Sequence, residues 1–182
     1  MTVPAVARLH WGCGRTIRAG WINSDRSDHS GVDLACDIRE GLPLESDSVD
    51  YAVSIHALQE IPYDGLAPAL AELRRVLKPG GVLRLGLPDL LKGADAYHRG
   101  DKEYFAVPDE DARDIGAKLV VQLLWYGHSR VVFTPGFIEQ ALLDSGFSRV
   151  VHCRFEETSG SHPEITTFDN RERESLFVEA FK

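Results

Sequence analysis

An apolar stretch that stops in a Gly-x-Gly pair, Leu9-His10-Trp11-Gly12-Cys13-Gly14, constrains this chain more than any other feature. A buried strand ending in such a turn presents backbone without side chains, so a charged small molecule can come within hydrogen-bonding distance of it. No third glycine follows at the dinucleotide spacing, because Arg15, Thr16 and Ile17 come next. Length narrows the choice further, since 182 residues suit one domain with a full core and are too few for two ordinary ones. A single domain over 1–182 is expected.

The spacing of the next runs sets the strand pattern. Only Arg15 to Gly20 separate the turn from a second apolar run, Trp21 to Asp25, which ends in an acid. Parallel strands usually need a crossover of about a dozen residues, so the first helix is expected to be vestigial. Val32 to Cys36 reads as a third strand ending at Asp37, and Val49 to Ile55 as a fourth. Leu66, Leu70, Leu73 and Leu77 recur at helical spacing, with Asp64 as N-cap, and Lys78-Pro79-Gly80-Gly81 stops that helix. Val82 to Leu87 is the fifth strand.

Beyond Pro88 the pattern loosens. Leu90 to Tyr97 and a run marked by Ile115, Leu119, Leu123 and Tyr126 read as helices around a polar loop, and such an insertion after a strand end commonly builds a lid or pocket wall. Thr134-Pro135 opens another helix, with Phe137, Ala141 and Leu142 facing inward and Gly146 ending it. Ser148 to Phe155 and Glu174 to Phe181 are the last strands, and the polar loop 156–173 between them is expected to be mobile or shared with a second subunit.

Charge and composition exclude several partners. A net charge of -8 disfavours a nucleic-acid backbone as the main partner, because phosphate binding relies on clustered Lys and Arg. No apolar run approaches the roughly 20 residues of a membrane span, and Met1-Thr2-Val3-Pro4 lacks the features of a secretion signal, so a cytoplasmic location is expected. Three scattered cysteines fit free thiols in a reducing compartment, and the seven histidines never fall at the i, i+4 spacing of a helical metal pair, so no metal is expected.

In order and in register, Gly12-Cys13-Gly14, Gly20-Trp21-Ile22-Asn23, Leu42-Pro43, Ser54-Ile55-His56 and Leu77-Lys78-Pro79-Gly80-Gly81 resemble the class I S-adenosylmethionine-dependent methyltransferases of compact type. The resemblance implies an α/β, three-layer Rossmann-like fold with a seven-stranded, mostly parallel sheet and one antiparallel strand. It implies S-adenosylmethionine as cofactor, leaving as S-adenosylhomocysteine. Gly12, Cys13 and Gly14 would meet its amino-acid portion, Asp25 its ribose hydroxyls, Asp37 and Ile38 its adenine, and Ser54, Ile55 and His56 the floor near the sulfonium. Cys13 is a spacer rather than a nucleophile, and His10 a core residue.

The chain departs from the family at Gln59-Glu60, where Glu-His is common, and the family's N-terminal covering helices have no counterpart ahead of Leu9. Enclosure of substrate is therefore expected from 90–130, from the late loop, or from another copy in a homo-oligomer. His56 and His128 are the candidate bases, each against a bland alternative of cofactor packing or a capped helix end. The expected activity is in-line methyl transfer to a small molecule, to oxygen in preference to nitrogen. The alternative is a non-catalytic cofactor-binding subunit that stabilises or regulates a partner. A nicotinamide enzyme fits less well, since Asp25 lies eleven residues after Gly14 instead of about 20.

Overall fold

A computed structural model of the chain describes residues 6–182, so the opening Met1-Thr2-Val3-Pro4 lies outside the described residues. Seven strands make one sheet: β1 (Arg8–Trp11), β2 (Ile22–Asp25), β3 (Leu34–Ala35), β4 (Val49–Ile55), β5 (Leu77–Pro88), β6 (Arg149–Cys153) and β7 (Ser175–Phe181). Their order is β3-β2-β1-β4-β5-β7-β6, and β7 alone runs against its neighbours. Four helices accompany them: α1 (Tyr63–Val76), α2 (Leu90–Arg99), α3 (Ile115–Leu124) and α4 (Pro135–Asp144). The sheet is the one the resemblance implies, while β3 and β6 are shorter than the apolar runs that foreshadow them.

Alternation along the strands sends residues to two unequal faces. Leu9, Trp11, Ala52, Leu83, Leu85 and Val178 pack under α1 and α4, where Leu66, Leu70, Leu73, Ile138 and Leu142 supply the helical side of the main core. Each fully buried leucine there contributes about 2 kcal/mol. Pro62, not Asp64, occupies the N-cap of α1, and Asp64 sits in the first turn, where its charge still complements the dipole. The Lys78-Pro79-Gly80-Gly81 stretch lies at the start of β5, Gly80 supplying the reversed backbone at φ +77°, and Lys78 reaches Asp50 at 2.8 Å instead of capping the helix.

Among the described residues no helix lies between β1 and β2, in line with the vestigial crossover expected there, and no α-helix is packed in the cluster on the opposite face. The late loop takes that place. Ile165 and Phe168, on a 3₁₀ turn spanning Pro163–Phe168, bury against Tyr51, Val53 and Val82, with Trp21 edge-on to Phe168 at 4.5 Å. A buried ion network pins the loop to the sheet. Arg84 on β5 donates to Asp169 of the loop and, at 2.8 Å, to Glu179 directly opposite on β7, and all three side chains are fully buried. Glu179 also accepts from Ser159, and Asp169 from the Glu156 amide. The segment expected to be mobile or shared with another subunit is thus a structural layer of its own chain.

Candidate active site

The carboxyl ends of β1, β2 and β3 lie side by side, as the parallel registers Trp11 with Ser24 and Asp25 with Ala35 require. Open α/β sheets bind ligands at this edge. A cleft there is lined by Gly12, Asp25, Asp37 and Ile38 together with Trp11, Ala57 and Glu60. Four of the residues singled out in the sequence are therefore gathered from three separate loops.

Gly12 is fixed by sterics. Its φ is +68°, and a Cβ there would lie 2.2 Å from the Ala57 Cβ, so no other residue fits between the turn and the end of β4. The amides of Gly12 and Cys13 both donate to the Ser24 carbonyl, and that of Gly14 donates to Asp25 Oδ2 at 2.8 Å. With its N–H groups consumed by β2 and the Cys13 carbonyl taken by the Thr16 amide, the turn offers the carbonyl oxygens of Gly12 and Gly14 to a ligand, which suits an ammonium group. Asp25 also accepts from the Ser27 amide, so two backbone donors hold its carboxylate in place.

Asp37 ends β3 and is gripped by Arg39, whose Nε donates at 2.9 Å; this ion pair holds the carboxyl down at about 2. Its remaining lone pairs are what it can offer a ligand. Cys13 is buried outside the cleft, and burial followed by the charge of Asp25 pushes its thiol up to about 11. Ser54 lies beneath Gly12 with a buried hydroxyl that has no partner. Ile55 faces the other side of the sheet, packing with Tyr51 and Val53, as strand alternation demands.

A second pocket adjoins the first and shares Glu60 with it. Its walls come from the end of β4 (His56, Gln59), the start of α2 (Asp89, Gly93), the 90–130 insertion (Tyr104, Leu119, Trp125) and the late loop (Arg171, Glu174). His56 belongs to this pocket and not to the first cleft. Its backbone is left-handed, with φ +55°, and its Nε2 bonds Ser175 Oγ at 2.8 Å. Burial, then the Arg171 charge, lowers its pKa to about 3, so the imidazole is neutral. His128 is exposed on the rim near Glu60 and lines neither cavity. In α3 the residues buried deepest are Lys118 and Gln122, held by the Val107 carbonyl and the Ala106 amide, while Leu119 and Leu123 line the pocket and Tyr126 is exposed.

Sequence reasoning does not place Gln59, Arg171 or Glu174 in a site. Gln59 is visible only as a departure from the family pattern, and nothing local marks the other two, whereas Glu60 and Asp89 are readable as acids that could face the cleft or solvent. Among the described residues, no group of three or more His, Cys, Asp or Glu is placed to hold a metal.

Residues 13–85 match the family model described as a methyltransferase domain. No curated protein matches the chain in sequence. Similar solved structures include a S-adenosylmethionine-dependent methyltransferase from Thermotoga maritima, described as a possible histamine N-methyltransferase, with 18% identity, TM-score 0.60 and coverage of 99% of this chain and 84% of that one. Another, from Mesorhizobium loti, has 20% identity and TM-score 0.57, covering 99% and 94%. A third, the 1,6-didemethyltoxoflavin-N1-methyltransferase of Burkholderia thailandensis, was solved with S-adenosylhomocysteine bound and has 14% identity and TM-score 0.57, covering 98% and 71%. Sheet order defines a Rossmann-like α/β fold, and the matched segment spans it from the Gly-x-Gly turn to β5. The chain thus shares its fold with these S-adenosylmethionine-dependent methyltransferases, and residues 13–85 carry the methyltransferase-domain pattern.

Proposed function

We propose that the chain methylates a small molecule held in the pocket between His56 and the 90–130 insertion, which acts as the lid. S-adenosylmethionine in the neighbouring cleft supplies a methyl group already activated on a sulfonium sulfur. The observation that carries this reading is the wall the two cavities share at Glu60, which sets an acceptor beside the cofactor. The turn carbonyls at Gly12 and Gly14 take the amino-acid portion, Asp25 the ribose hydroxyls, and Asp37 with Ile38 the adenine. Because the methyl is already activated, the protein's part is chiefly to align the acceptor and exclude water.

His56, neutral and fixed on Ser175, orients the acceptor rather than deprotonating it. His128, on the rim, contributes at most a proton relay to solvent. The chain works in the cytoplasm, where its free thiols Cys13, Cys36 and Cys153 stay reduced. The test is mass spectrometry for the gain of one methyl across a metabolite panel. His56→Ala should lower turnover about 10-fold to 100-fold with cofactor affinity unchanged, and His128→Ala less than threefold, within the usual range for positioning and acid–base groups. A His56→Ala enzyme with full turnover contradicts the assignment.

A further inference from the structure

We propose, resting on that reading, that the methyl acceptor is an amine, recognised by two unpartnered acceptor atoms set among three carboxylates. Gln59 is 6% exposed and lines the acceptor pocket, and its Oε1 has no partner. Its amide orientation is fixed, because Nε2 donates to the His56 carbonyl at 2.7 Å and leaves the oxygen as the free end. The second atom is His56 Nδ1, also buried and unpaired. With His56 assigned the tautomer in which Nε2 donates to Ser175 Oγ, whose own proton turns toward the Asn170 carbonyl at 3.5 Å, Nδ1 keeps its lone pair.

Two buried acceptors without protein donors favour a ligand that brings donors in place of the water that would otherwise satisfy them. A primary amine brings two or three, whereas an alcohol brings one and sets its own lone pairs against the remaining acceptor. Charge agrees with this count. Glu60, Asp89 and Glu174 line the pocket against one cation, Arg171, which already pairs with Glu174 at 3.5 Å and lies over the Trp125 ring at 4.9 Å. The Glu60 carboxyl, held above its usual range by partial burial, stands at the wall facing the cofactor cleft. An incoming ammonium gives Glu60 one proton. The freed nitrogen lone pair then forms the N–C bond to the methyl, and the electrons of the broken C–S bond return to sulfur, leaving a neutral thioether and a methylated ammonium.

The experiment is calorimetric titration of the protein, with and without S-adenosylhomocysteine, using benzylamine, benzyl alcohol and benzoate at neutral pH. Benzylamine should bind about tenfold or more tighter than the alcohol, as a charge-assisted pair implies, and benzoate not measurably. Glu174→Gln and Gln59→Leu should each narrow that preference, and the rim variant Glu174→Gln reports even if the buried one fails to fold. Equal binding, a preference for the alcohol or benzoate, or no binding of any of the three overturns the amine assignment. Binding of S-adenosylhomocysteine without an amine preference removes this inference and leaves the methyltransferase reading standing. An amine preference without S-adenosylhomocysteine binding does the reverse.

Discussion

Gly12 and Gly14 look alike in the sequence and differ in what surrounds them. A Cβ on Gly12 meets Ala57 at 2.2 Å, and one on Gly14 meets nothing within 4 Å, although both have positive φ. Gly12→Ala should therefore lose about 2–4 kcal/mol of stability from overpacking and backbone strain together, and Gly14→Ala about 1 kcal/mol from strain alone. Thermal melts compare the two, and equal losses would contradict the packing argument. The histidines make a second prediction. Burial lowers His10 to about 4 and His56 to about 3, so both stay neutral when folded and would charge when unfolded. A depressed folded pKa means the unfolded chain binds more protons below about 6.5, so stability is complete above that pH and falls as pH drops toward 4. At pH 5 each histidine should remove about 2 kcal/mol, and chemical denaturation of wild type and His10→Phe between pH 7 and 5 should show a shallower decline in the variant.

Among the elements, those with strong local signals were legible in the sequence and those defined by distant partners were not. The Gly-x-Gly turn, the leucine spacing of α1 and the Thr134-Pro135 start of α4 are set by residues a few positions apart, and Thr134 does accept from the Phe137 amide at 3.2 Å. The late loop is different. Its polar composition gave no sign of a covering layer, because what fixes it is Arg84, a charge inside a core strand, paired with residues 85 and 95 positions away. The second pocket was equally hidden, being assembled from four segments between His56 and Glu174. Ile55 should have been legible, since strand alternation alone sets it opposite Ser54. Removing one member of a buried ion network strands its partners, so Arg84→Ala should cost about 3–5 kcal/mol. Asp169→Ala should in addition free residues 156–173 to exchange their amides faster than the strands do, as hydrogen exchange would record. Unchanged protection in that segment would show that Ile165 and Phe168 hold it without the charges.

At the level of the whole molecule, the two sheet faces carry different duties. One is a conventional helical core under α1 and α4, and the other is sealed by an irregular segment whose last residues, Arg171 and Glu174, also wall the second pocket. The segment that completes the fold thus also contributes to the site. Among the described residues, no helix is long and apolar enough to cross a membrane. The sequence resemblance foresaw the sheet, and Gly12, Asp25, Asp37 and Ile38, which it singles out, line one cleft. It did not foresee that His56 would turn away into a separate cavity. The account rests on ligand binding at the ends of β1 and β2, and titration of S-adenosylhomocysteine into wild type and Asp25→Asn tests it most directly. Asparagine can still accept from the Gly14 amide and spare the turn, so the account predicts saturable binding to wild type, weakened about tenfold or more in a folded Asp25→Asn protein. No heat at millimolar ligand, or equal affinity in the two proteins, would contradict it.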